Sequence, residues 1–152
     1  MLAEIDAKIR KAKKALKQLG YIAENVSAKE FHDYMTGEIF SEDKTTLSDV
    51  LDSDFLTIHE LVEINELKKM GRTINKRVIM ESPKTLIYKA HFTAIELELN
   101  YALLKKDYLW IRKRLECHKT SVLEDDSNLP EELRPRGEAI LERFKKLMRK
   151  ST

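Results

Sequence analysis

A histidine and two carboxylates recur along residues 55–70 at the spacing a helix gives to buried leucines. His59, Glu63 and Glu66 stand at i, i+4 and i+7, which aligns them on one stripe of a helix. At ~100° per residue that stripe falls inside the apolar arc formed by Phe55, Leu56, Ile58, Val62, Leu67 and Met70. A second stretch, 84–104, repeats the intrusion. There His91 and Glu98, at i and i+7, lie opposite the polar face of Lys89, Thr93, Glu96 and Asn100. An ionised carboxylate buried alone costs several kcal/mol, so each of these acids needs a cation, a proton or a metal beside it.

Imidazole plus carboxylate is the ligand set of zinc, iron and manganese sites, and helix-bundle cores are a common place to build them. If the two stripes converge, His59, Glu63, Glu66, His91 and Glu98 are the expected ligands of a divalent metal ion (Zn, Fe or Mn). One of the glutamates could instead act as a base toward a bound water. Two other readings stay open. The same residues can close a buried polar network with Lys69, Arg72 or Arg112 and with tyrosines such as Tyr88, Tyr101 and Tyr108. They can also line a catalytic pocket that needs no metal.

Short resemblances surround this pattern. "HELVEINEL" (59–67) is similar to helices of ferritin-like di-iron proteins, which use Glu-x-x-His; neither central stretch holds that motif. Glu63-x-x-Glu66 resembles half of the magnesium motif of the all-α nucleotide pyrophosphatases. That family expects a following Glu-x-x-Asp, and 84–104 offers Glu96 and Glu98 without the aspartate. Each likeness covers a few residues and brings no function with it. Arg112 and His118, with five residues between them in "RKRLECH", resemble the Arg…His spacing of the HEPN helical ribonucleases, which implies an RNA-directed nuclease as an alternative activity.

The remaining candidates read more plainly. His32, next to Asp33, is expected at the surface. Cys117, the single cysteine, has no internal disulfide partner and is expected to be a small buried hydrophobe. The basic ends "RKAKKALK" and "RFKKLMRK" suit solvated faces that complement helix dipoles. No glycine-rich phosphate loop and no Cys-x-x-Cys occur, which disfavours ATPase, Rossmann and zinc-finger chemistry.

The elements that must carry these residues are punctuated clearly. Helices are expected over 2–19, after a capping box at Ser27-x-x-Glu30, over 55–70 behind Asp54, over 84–104 behind Ser82-Pro83, after Asp107, and over about 136–149. Gly20, Gly37 and Gly71 mark helix ends. Residues 38–53 read as a loop with a short helix near 45–52, and 72–80 as a short helix. The expectation is an all-α, single-domain bundle of about five main helices plus short ones, with 55–70 and 84–104 at its centre.

Composition agrees. The 152 residues are 42% hydrophobic and 36% charged, with four glycines and three prolines, as in a helix-rich globular chain. The 28 basic and 26 acidic residues leave a net charge of +2, so no whole-chain field favours nucleic acid or an anionic membrane. Dense charge with one glutamine and one cysteine is the composition of a thermophile-like protein. No apolar run approaches the ~20 residues that span a bilayer, and the charged N-terminal segment lacks a leader-type apolar core. A cytoplasmic protein is expected. A helical interaction module, forming a homo-oligomer or binding a protein partner, is the reading that competes with a metal protein.

Overall fold

The computed structural model describes residues 1–23, 25–40 and 45–151. It is all-α. In order, the helices are α1 (Leu2–Gln18), α2 (Ala28–Thr36), α3 (Leu47–Leu51), α4 (Asp54–Lys69), α5 (Val78–Glu81), α6 (Lys84–Leu104), α7 (Tyr108–Cys117) and α8 (Arg134–Ser151). A wide π turn, His118–Glu124, continues α7, and one tight turn of 3₁₀ helix, Glu131–Leu133, leads into α8. Among the described residues, no helix is long and apolar enough to cross a membrane.

Local chemistry explains most boundaries. Ser27 Oγ accepts from Glu30 N while the Glu30 carboxylate accepts from Ser27 N, so the capping box closes α2 as its sequence requires. Thr46 and Asp49 close a second box on α3. Gly20 and Gly71 follow α1 and α4 with φ of 79° and 87°, the left-handed region in which a Cβ is strained. Asp54 is not the cap of α4. That role falls to Ser53, whose hydroxyl accepts from Leu56 N, and Asp54 opens the first turn, where an acid suits the dipole. Pro83 sits one position before α6 rather than at its first residue. Part of the expected 38–53 loop, residues 41–44, lies outside the described residues.

The helices α4 and α6 pack on each other more extensively than any other pair. Both bury residues all round their circumference, which is the pattern of central helices, whereas α1 and α8 bury one face each. Around this pair lie two apolar cores. One, under α1 to α4, holds Ile5, Leu16, Phe31, Leu61 and Ile64. The other, under α7 and α8, holds Phe92, Leu99, Ile111, Leu115 and Phe144. Helix α6 supplies both, with Ala90 and Ala94 to the first and Phe92, Ile95 and Leu99 to the second. The polar intrusions on α4 and α6 therefore sit beside the seam between two cores.

Candidate metal centre

The facing of α4 and α6 brings four of the five expected residues together. His59 is the hub. Its Nδ1 lies 2.8 Å from Glu98 Oε1 across the helix pair, and its Nε2 lies 2.7 Å from Glu63 Oε2 one turn along α4. The same Glu63 oxygen is 2.9 Å from His91 Nδ1, so one carboxylate oxygen accepts from both rings. The two imidazoles meet edge to face with centroids 5.0 Å apart.

Three further side chains, none of them singled out by the stripes, complete the cluster. The Tyr34 hydroxyl donates to Glu63 Oε1 at 2.6 Å. Trp110 Nε1 donates to Glu98 Oε2 at 2.8 Å, and Arg114 Nε reaches both Glu98 oxygens at 2.8 and 3.1 Å. A signal for the last two exists in the sequence. Trp110 and Arg114 are i, i+4 on α7, so they share a face, and that face can reach α6 across the short Lys105–Asp107 connection. Arg112, two residues earlier, points elsewhere.

Burial and charge decide the protonation states. Burial alone would strip the proton from His59, which is 3% exposed. The Glu63 carboxylate and the hydrogen bonds to Glu63 and Glu98 outweigh that penalty, and the imidazolium persists up to a pKa of about 10. Burial likewise opposes ionisation of Glu63 and Glu98. His59 holds Glu63 well below the usual carboxylate range, and the Arg114 guanidinium with His59 lowers Glu98, which has no exposed surface. For His91, burial prevails and the neutral ring is favoured. The cluster thus holds two cations, His59 and Arg114, against two anions, Glu63 and Glu98.

One atom is left out of this closure. His91 Nε2 is buried with no hydrogen-bond partner among the described residues, although its ring retains 24% exposure at the edge of the cluster. With Nδ1–H given to Glu63, that nitrogen carries a lone pair and nothing to accept from. Nitrogen atoms of His59 and His91 and an oxygen of Glu63 lie within 4.8 Å of one another, a group that can hold a metal ion. Glu98, fixing the far nitrogen of His59, occupies the position of the carboxylate that orients a ligating imidazole in metal proteins.

The fifth stripe residue lies apart. The Glu66 carboxylate accepts from the Tyr21 hydroxyl at 2.6 Å and from Lys69 at 3.1 Å, and Asn65 donates to the same Tyr21 oxygen at 2.8 Å. At i+7 it is nearly two turns from His59, and the drift around the helix turns it toward the segment that follows α1. Asn65 is buried in this arrangement.

The other candidates separate. His118 is 2% exposed, with Nε2 2.8 Å from the Gly137 carbonyl oxygen and its ring edge to face with Phe92. Arg112 is exposed on the other side of α7 and lines a surface groove that His118 does not line. The two therefore do not present a common surface for RNA cleavage. His32 is partly exposed, 3.9 Å from Asp33 and outside the cluster. Cys117 is exposed rather than buried, because Leu115 and His118 take the inward positions at this end of α7. No known protein family, curated protein or solved structure matches the chain.

Proposed function

We propose that the protein binds a divalent transition metal, zinc, iron or manganese, through His59, Glu63 and His91. The observation that carries this reading is the convergence of two imidazoles and one carboxylate from two helices within 4.8 Å. Two nitrogens and one oxygen suit borderline divalent ions. Three protein ligands also leave coordination positions for water or a substrate, as catalytic rather than structural zinc sites do. Binding an ion there requires the His59 imidazolium to release the Nε2 proton that now holds Glu63, and the neutral His91 ring to carry its one proton on the nitrogen turned away from the ion. Glu98 and Arg114 keep His59 in place before and after, because Nδ1–H continues to donate to Glu98.

The test is elemental analysis of protein purified without chelator or a metal-binding tag, followed by calorimetric titration with Zn²⁺, Fe²⁺ and Mn²⁺. Near-stoichiometric metal, abolished in a His59→Ala/His91→Ala variant and weakened about 10–100-fold in Glu98→Gln, is the expected result. Absence of metal together with absence of binding on titration overturns it.

A second reading rests on a different observation: the network is already matched in charge, and both His59 nitrogens face carboxylates. In that case the cluster fixes the register of α4 against α6 and needs no ion, and the protein acts as a helical interaction module.

A further inference from the structure

A second feature, independent of the histidine cluster, lies on the opposite side of α7. There α7 with its π turn and the C-terminal half of α8 flank an open groove of about 510 Å³. Its floor is apolar, made by Leu115, Leu141 and Met148. Its rims are basic. Arg112 and Lys119 stand on one side, two turns apart, and Lys145 stands on the other with Arg149 beyond it. Among the described residues, Arg112, Lys119 and Lys145 form no ion pair. Among the described residues, Glu116 is the one acid on the rims.

The spacing is that of two helical stripes. Arg112, Leu115 and Lys119 are i, i+3 and i+7, and Leu141, Lys145 and Met148 are i, i+4 and i+7. Seven residues at 1.5 Å each give the groove a length of about 10 Å, or two helical turns. The cations do not converge on a point, as they would for a single phosphate. They form two rails over an apolar strip.

We infer that this groove docks an acidic amphipathic helix of another protein. Such a helix lays apolar side chains at i, i+3 or i+4, and i+7 on the Leu115–Leu141–Met148 floor. Its flanking Asp and Glu residues meet Arg112, Lys119 and Lys145, and Glu116 penalises a partner that sets an acid opposite it. Met148 lets the floor adapt to side chains of different shape. A nucleic-acid strand fits less well, because among the described residues no aromatic ring lines the groove for base stacking and an apolar floor gives nothing to phosphates.

Fluorescence anisotropy with a labelled peptide tests this. The probe is an amphipathic peptide of about four turns, with Leu at i, i+3 and i+7 and Glu elsewhere; a scrambled peptide of identical composition and an oligouridylate of equal charge are the comparators. The expected result is binding of the amphipathic peptide at least about tenfold tighter than of the scrambled one. That affinity falls about tenfold or more in Arg112→Glu/Lys145→Glu, a change at two exposed positions whose thermal unfolding should match the parent. Equal binding of the scrambled peptide would show charge attraction alone and overturn the proposal. So would binding of the oligouridylate without the peptide, or binding of neither.

Discussion

His59 and His118 are equally buried and carry opposite charge states. His59 sits between two carboxylates and stays protonated up to a pKa of about 10. His118 has the Gly137 carbonyl as its hydrogen-bond partner, and burial, with the Arg114 charge nearby, holds it neutral below the usual histidine range. Desolvation is the largest influence on both and acts in the same direction. What separates them is the partner: a carboxylate at 2.7 Å reverses the effect of burial, and a neutral carbonyl does not. The consequence for stability also differs in sign. His59, raised in the fold, contributes stability that is complete below its unfolded pKa of about 6.5 and is lost as pH rises through about 10. His118, lowered in the fold, loses stability as pH falls through about 6.5, because the unfolded chain then binds the proton more tightly.

The sharpest way to break this contrast is Glu98→Leu. It leaves His59 and Arg114 as buried cations with Glu63 alone to balance them, and should cost about 3–5 kcal/mol in urea unfolding. A loss below about 1 kcal/mol would mean that Glu98 does not balance the pair. His118→Gln tests the neutral half. Near neutral pH it should cost about 1 kcal/mol for the altered bond to Gly137. Its unfolding temperature should also fall less steeply than the parent's between about pH 7 and pH 5, since the protonating ring is gone. Parallel pH profiles for the two proteins would refute a neutral His118. The smallest effect belongs to Tyr21→Phe, which removes the bridge between Glu66 and Asn65. It should cost about 1 kcal/mol and leave any metal binding by His59, Glu63 and His91 untouched. A change in metal stoichiometry would bring Glu66 back toward the site.

The sequence conveys the elements better than the partnerships. Gly20, Gly71 and the Ser27–Glu30 box act through the nearest residues, and the helix ends they mark are found where their chemistry puts them. The stripe His59, Glu63, His91, Glu98 is also visible in sequence, because buried acids among leucines are conspicuous on a helical wheel. Glu66 belongs to the same stripe by spacing, yet its neighbours are chosen by the chain after α1, where Tyr21 lies 45 residues away. Arg114 and Trp110 escape notice for the same reason. A basic helix offers several equivalent cations, and only the angle at which α7 returns onto α6 selects Arg114 over Arg112. Cys117 shows the limit of residue type alone: cysteine is usually buried, but its place on the helix decides.

Trp110 gives the cluster a further property. It is the single tryptophan of the chain, and its indole N–H ends on the Glu98 carboxylate that also holds His59. Its emission is therefore an optical reporter wired to one anion of the buried site. Neutralising that anion, moving it, or bringing a paramagnetic ion nearby would change the colour or yield of the light, with no label attached.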